Sequence, residues 1–460
     1  MPVDNPDKLT IAISMLSENG HYAGTFRLAR NLRARGHRVF YIGIADFREL
    51  VTAQGFEFVS FAEDLLPPGY IQEFVSSQSI RSRGIVERIK KRGKDEQVFS
   101  AYLDRILGGS LDDCLLSFKP DLLLCDTFVW YIAARAMKLG IPTINLSIIL
   151  SLFKNPAIPP VIYSVPPGQD WRSALLVRGA WIWMRFSFFF TKRLASVFLG
   201  RFRFPTRMHH LVGVFLEIAR ESGYGPRENV TYWYGEMGPR LILPEIVFCP
   251  ETFQFSSKPD DGRMYLGYPV DAERKEESFK DADLDKQKPL VYCSLGSSAF
   301  LYPHAERFFN AFIGLSRLRS EWQCVLHIGD YRYEHKLDTA GPNLLIRKRV
   351  PQLELLRRAA VMITHGGLNS IMECIHFGVP MVIVPGMRDQ PGNSARAVGH
   401  GIAVTASMSR VTAAKLEKLC CRTMDDEGIK ENIKAMHQKI SREQNPEEII
   451  RFIESYAIDL

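Results

Sequence analysis

Short apolar runs rich in Val, Ile and Leu alternate along this chain with stretches of helical character, and the alternation occurs twice. "KLTIAISM" precedes a helix expected from about residue 22 to 35, and "HRVFYIGI" follows it. "PDLLLCD", a helix near 128–139 and "PTINLSII" continue the pattern. The second half repeats it with "PLVYCSLG", a helix near 303–318, "QCVLHIG", "NLLIRK", "VMITH", a helix to about 377 and "MVIVP". Strands separated by whole helices cannot pair as hairpins, so each half is expected to build a parallel sheet covered on both faces. Residues 271–287, "DAERKEESFKDADLDKQ", are charged and nearly free of large apolar groups, as suits a linker. The expected organisation is an α/β chain with one domain over 1–270, a linker over 271–287 and a second domain over 288–440. A last helix within 441–460 is expected to return to the first domain. A chain of 460 residues is too long for one ordinary core, which agrees with this division.

Composition excludes several classes. No stretch of about 18 residues is apolar and free of charge, so no membrane-spanning helix is expected. The first residues lack a basic region followed by an apolar signal core, and a cytoplasmic protein is expected. The eight cysteines have no C-x-x-C spacing, and reduced, buried thiols are the expectation. The net charge of +7 is local: residues 171–210 hold eight Arg or Lys and no acidic residue. Without a basic module interleaved with stacking aromatics, no nucleic-acid partner is expected. His209-His210 lacks carboxylate or Cys neighbours, and no metal is expected.

In doubly wound sheets ligands sit beyond the carboxyl ends of the strands. The residues at such positions are His21, Asp126, the turn 294–298, the run 365–370 and the pair Asp389-Gln390. In "VMITHGGLNSIMEC", a strand runs into His365-Gly366-Gly367, and Asn369 and Ser370 open a helix. Glycines let backbone approach a ligand, and helix N-terminal amides favour an anion such as phosphate. Ser370 and Glu373 also have the S-x-x-E spacing of a capping box. "SLGSS" and "SENGHYAG" do not make the G-x-G-x-x-G turn of a nicotinamide dehydrogenase.

The run from Val350-Pro351-Gln352 through "LELLRRAAVMITHGGLNSIMECIHFGVPMVIVPGMRDQPGN" resembles the nucleotide-sugar signature of the UDP-glycosyltransferase superfamily. "VYCSLGSS", "GHYAGTFRLARNLRARGHRV" and "KPDLLLCDTFVWYIAARAMKLGIP" extend the resemblance over both halves. It implies the GT-B fold: two Rossmann-like, doubly wound parallel-sheet domains facing across a cleft, with acceptor bound by the first and donor by the second. The resemblance places Gln352 at the uracil edge, through side chain or backbone. It places His365 on the diphosphate, with Gly366, Gly367, Asn369, Ser370 and nearby amides beside it. Glu373 would accept from the ribose, Asp389 and Gln390 would hold the transferred sugar, and Ser294 and Ser297 would line the phosphate side.

Arg349 stands where plant members carry a Trp on the uracil, and it either stacks its guanidinium plane there or points away. The spacing from Gln352 to His365 is closer to the bacterial members, which leaves UDP and dTDP both open. Gly24 replaces a proline usual in the family.

His21 stands at the family's position for the catalytic base, and Asp126 at that of its partner. Removal of a proton from an attacking hydroxyl suits a neutral imidazole, and a carboxylate orients the ring and stabilises its charged form. Each also has a plain helix-capping explanation. The implied activity is inverting transfer of a hexose, glucose from UDP-glucose, to a hydroxyl of a lipophilic small molecule such as a terpenoid, carotenoid, polyketide or lipid alcohol. No metal or cofactor is expected beside the UDP-sugar co-substrate. The alternatives are a sugar-nucleotide epimerase and a non-catalytic auxiliary protein of the same fold. In residues 171–207, Arg178, Arg185 and Lys192 recur every seven positions among Trp181, Ile182, Trp183, Phe186 and Phe188–Phe190. A basic amphipathic helix of this kind fits an anionic membrane surface, and equally its aromatics fit an acceptor pocket.

Overall fold

The computed structural model describes residues 8–71, 73, 97–150, 158–165, 170–200, 220–221, 230–231, 240–255, 263–267, 270–276, 284–285, 287–297, 299–329, 335, 337–339, 341–443 and 446–458. Within 171–200 the described side chains are those of 171–184, 186 and 187. His209, His210, residues 201–207, most of the 60–100 stretch beyond 73, and linker residues 277–283 lie outside the described residues.

The first sheet contains β1 (Thr10–Ser14), β2 (Arg38–Gly43), β3 (Glu57–Ser60), β4 (Leu122–Asp126), β5 (Thr143–Ser147), β8 (Glu245–Val247) and β9 (Arg263–Tyr265), in the order β3-β2-β1-β4-β5-β8-β9. A short antiparallel pair, β6 (Val230–Thr231) with β7 (Arg240–Leu241), lies apart from it. The second sheet contains β10 (Leu290–Ser294), β11 (Gln323–His327), β12 (Leu344–Arg347), β13 (Ala359–Thr364), β14 (Met381–Ile383) and β15 (Ala403–Thr405), in the order β12-β11-β10-β13-β14-β15. Every pairing in both sheets is parallel. The central strands β4, β5 and β10 are buried at every position; β4 and β10 read as nearly unbroken apolar runs, while β5 alternates Thr, Asn and Ser with Ile and Leu.

Each sheet has one switch point, where the strand order reverses and the loops diverge. It lies between β1 and β4 in the first sheet, with Ile13 opposite Leu124. In the second it lies between β10 and β13, with Cys293 opposite Ile363. Diverging loops leave a crevice beyond the carboxyl ends of those strands, so topology alone selects the segments 15–21, 126–130, 295–297 and 365–370.

In the described start of the linker, residues 271–276, three charged side chains are bonded within the protein. Asp271 pairs with Arg30 of the helix Asn19–Ala34. Arg274 binds Glu373 at 2.9 Å, and Glu276 accepts from Leu353 N at 2.9 Å. First-half residues Leu150, Val161, Val247, Cys249 and Phe253 belong to the core beneath the second sheet. Arg396, buried in the helix Gln390–Gly399, donates to Gln254 Oε1 at 2.7 Å and to Gly392 O at 3.0 Å. Its guanidinium lies 4.6 Å over the Phe255 ring. Burial lowers its pKa to about 10, so it remains charged at neutral pH.

The helix Glu427–Glu443 buries Ile429, Ile433, Met436 and Ile440 in the second core. The helix Pro446–Ile458 instead buries Ile449, Ile450 and Ile453 in the first. Glu454 anchors it, accepting from Arg35 Nε at 3.1 Å and from His37 Nε2 at 3.0 Å. His37 Nδ1 accepts from Leu9 N at 3.2 Å, which leaves Nε2 as the protonated nitrogen. Glu454→Ala leaves the buried His37 donor without its acceptor. The expected loss, read by urea denaturation, is about 1–3 kcal/mol.

Candidate active site

His21 lies in the first turn of the helix Asn19–Ala34 and is 8% exposed. Its Nδ1 donates to Asp126 Oδ2 at 2.6 Å. Asp126 closes β4 with no exposure at all. Its Oδ2 also accepts from Leu16 N at 3.2 Å, and its Oδ1 from Phe128 N at 3.0 Å. Capping of the turn Thr127–Val129 and support of His21 are thus done by the same carboxylate. Holding the proton on Nδ1 leaves Nε2 as the basic atom of the ring. Burial alone would lower the His21 pKa, but the charge and hydrogen bond of Asp126 outweigh it, with help from Glu18 and Asp389, and the pKa is raised.

At the second switch point the glycines have a role that the sequence reading assigned to a ligand. The His365 ring packs between backbone segments: a Cβ on Gly367 would stand 2.6 Å from His365 Nε2, and one on Gly296 3.0 Å from Cε1. Gly366 has φ +87°, a conformation that glycine adopts without penalty. Nδ1 of His365 is buried and makes no hydrogen bond among the described residues. Burial, with His327 nearby, lowers its pKa to about 4, so the imidazole is neutral near pH 7.

The helix Leu368–Phe377 is capped by Gly367 without a side-chain bond. Ser370 and Glu373 therefore form no capping box. Glu373 is buried inside the helix and takes Arg274 and the Gln352 amide as its partners. Gln352 Oε1 accepts from Tyr292 OH at 2.9 Å, and its Nε2 also reaches Ser370 Oγ at 3.4 Å. Both ends of the Gln352 side chain are engaged within the protein. Arg349 is exposed at the start of the same turn, and Val350 packs on the core.

Ser294 Oγ bonds His327 Nδ1 at 2.8 Å and accepts from Gly296 N at 3.0 Å, while Ser297 is partly exposed on the turn that follows. Asn369 does not face its own domain: Nδ2 donates to Gly20 O at 2.8 Å, across the cleft and next to His21. Gln390 is also engaged, with Oε1 accepting from Gly386 N and Met387 N at 3.0 Å and Nε2 donating to Tyr302 OH at 2.7 Å. Asp389 Oδ2 accepts from Asn393 Nδ2 at 2.8 Å. Burial raises the Asp389 pKa despite that bond and the nearby His21 and Arg388.

His21, Asp126, Ser297, His365, Gly366, Gly367, Asn369 and Ser370 thus stand just beyond the carboxyl ends of the strands that flank the two switch points. Arg274, Tyr292, Tyr302, His327 and Asn393 bond Glu373, Gln352, Gln390, Ser294 and Asp389 in turn, although sequence reasoning assigned none of these five partners. Asn393 stood within the quoted signature; its Nδ2 also reaches Gly366 O at 3.1 Å and ties the phosphate-side turn to Asp389. Among the described residues no group of three or more His, Cys, Asp or Glu is placed to hold a metal ion.

Residues 286–448 match the family model of UDP-glucoronosyl and UDP-glucosyl transferases. The NDP-glycosyltransferase YjiC of Bacillus subtilis is 31% identical over 220 residues, which cover 47% of this chain and 55% of that protein. Its namesake in Bacillus licheniformis is 25% identical over 449 residues, 97% of each chain. Residues 286–448 thus resemble the UDP-glycosyltransferase superfamily, and the Bacillus licheniformis protein extends the likeness over the first half. Two solved glycosyltransferases, those of kitacinnamycin and calicheamicin (CalG4), superimpose with TM-scores of 0.64 and 0.63. At 22% and 20% identity they cover 98% of this chain and 99% and 98% of their own, and they establish the GT-B fold.

With His21 as the base, which must be unprotonated to act, its raised pKa gives a definite sign. The acid limb of kcat/KM should rise through an apparent pKa above 6.5, the ordinary imidazole value. Asp126→Asn removes the charge that raises it. The limb should then shift to lower pH while the rate falls, as a pH profile of sugar transfer would read directly.

Proposed function

We propose that this glycosyltransferase moves a hexose, glucose from UDP-glucose, to a hydroxyl of an apolar small molecule with inversion at the anomeric carbon. The observation that carries the reading is the buried His21–Asp126 contact, facing the His365 turn and joined to it by the Asn369–Gly20 bond. His21 Nε2 takes the proton of the acceptor hydroxyl as its oxygen attacks. The bond from the anomeric carbon to the diphosphate oxygen breaks, and UDP leaves with the electron pair. Asp126 stabilises the imidazolium so formed. Backbone amides at the start of the helix Leu368–Phe377 and the His365 imidazole receive the diphosphate. An intact dyad disfavours a non-catalytic auxiliary role.

The helix Trp171–Gly200 supports an apolar acceptor and an anionic membrane as its source. Val177, Trp181 and Met184 form its inner stripe, packed on Ile162 and Tyr163, and Trp181 Nε1 donates to Ile158 O at 2.8 Å. Trp181 is therefore on the packed face and not on the outer one. At 100° per residue the opposite face carries Trp171, Leu175, Leu176, Ile182, Trp183 and Phe186, each more than half exposed. Arg172 and Arg178 are exposed on and beside that face, in a stretch without acidic residues. Apolar side chains ringed by unopposed positive charge suit an anionic bilayer, where each Lys or Arg contributes roughly 1 kcal/mol. Among the described residues no helix is long and apolar enough to cross a membrane. Hence the proposal is of surface attachment.

His21→Ala should lower turnover by orders of magnitude and leave the Kd of UDP unchanged. Turnover like the wild type would remove His21 as the base. His365→Ala should weaken UDP by about 1–3 kcal/mol in calorimetry. A diphosphate beside His365 raises its pKa from about 4, so UDP affinity should grow as pH falls from 7 towards 5 and the growth should vanish in the variant. Vesicles of phosphatidylcholine with phosphatidylglycerol should sediment the protein at low salt and release it at high salt. Absence of binding at low salt would refute the membrane attachment.

A further inference from the structure

The loop that precedes His21 is tied to the donor domain at a second point. Glu18, three residues before His21, forms an ion pair with Arg388, immediately before Asp389. The bond from Asn369 to Gly20 O at 2.8 Å lies two residues further along the same loop. Residues 18 and 20 are thus held by the two turns that present Asp389 and His365 from the other side.

Two features set this pair apart from an incidental surface contact. Arg388 has φ +57°, and it is one of three non-glycine residues with positive φ among the described residues. An L-residue disfavours that conformation, and glycine would adopt it freely. The backbone there presents a long cationic side chain at an energetic cost. Glu18 meanwhile has its backbone fixed by the catalytic helix, since its carbonyl accepts from His21 N at 3.0 Å. A pull on the Glu18 side chain is therefore a pull on the turn that carries His21.

We infer that Glu18 and Arg388 form a latch across the cleft that sets the position of His21 against the transferred sugar. Both are positioning residues. The inference rests on the reading of His21 as base and of Asp389 at the sugar. As an ion pair with side chains 32% and 44% exposed, the latch adds little to overall stability. Its effect is geometric, because a displacement of about 1 Å at a reacting centre costs up to about a hundredfold in rate. Partial exposure also makes the pair sensitive to salt, so added salt loosens it.

The test is a charge-exchange cycle of Glu18→Arg, Arg388→Glu and the double variant, all with UDP bound. Hydrogen exchange is followed at residues 15–24 and 385–391. Arg388→Glu, in the second domain, should speed exchange at 15–24, Glu18→Arg should speed it at 385–391, and the double variant should restore both. With UDP-glucose, each single variant should lower kcat of donor turnover, read as UDP release, about tenfold with the Kd of UDP unchanged, and the double variant should recover it. Arg388→Gly relaxes the backbone, and should lower kcat while the melting temperature holds or rises.

Three results would overturn the latch: no change at 15–24 in Arg388→Glu, a double variant that equals the sum of the singles, or coupled exchange with unchanged kcat. Failure of the base reading is separate, because it would show as normal turnover in His21→Ala with the exchange coupling intact.

Discussion

A carboxylate with no access to water must be satisfied on every side, and Asp126 organises the catalytic end of the first domain by meeting that demand. Its oxygens take Leu16 N after β1, His21 Nδ1 on the first helix and Phe128 N after β4. Two stretches of chain more than a hundred residues apart, 16–21 and 126–128, converge on one side chain. Charge-assisted bonds of this kind are short and directional. The same set of bonds that keeps a buried charge tolerable also orients the imidazole. Stability of the turn and chemistry of the base thus share one residue, and losing the charge costs both.

The second domain solves the opposite problem. His365 is buried without an ionic partner, is neutral, and is held by shape between Gly296 and Gly367. Its Nδ1, without a bond among the described residues, keeps its hydrogen-bonding capacity for something else. Gln352, Glu373 and Gln390 show the converse, since their polar atoms are already bonded to Tyr292, Arg274, Tyr302 and backbone amides. Such residues shape the walls of the donor crevice, and rigid walls keep a bound sugar nucleotide oriented.

The sheets were legible because buried parallel strands leave nearly unbroken apolar runs, and the dyad was legible because both members stand directly after strands that flank a switch point. Other features left no such trace. In 271–276 the charges of Asp271, Arg274 and Glu276 have the composition of a solvated tether, and only the fold shows each meeting a partner. Trp181 and Trp183 read alike in sequence, yet the position of Ile162 and Tyr163 decides which of them is inside. Ser370 and Glu373 matched a capping pattern, but the helix begins at Leu368 and puts both past the cap. The Glu18–Arg388 contact spans 370 residues, and no periodicity records a pair at that separation.

The return of the last helix gives the molecule an unusual mechanical constraint. The chain enters the second core at Leu150 and Val161 and again from Val247 to Phe253, and passes back to the first core between the helices Glu427–Glu443 and Pro446–Ile458. A body hung from one flexible strand can twist, tilt and swing. A body pinned at several separated points is held against such motion. The rims of the crevice are thereby held against sliding past one another. Release of Glu454 from Arg35 and His37 would draw out one pin. The lips of the crevice would then lose their alignment even with each domain still folded.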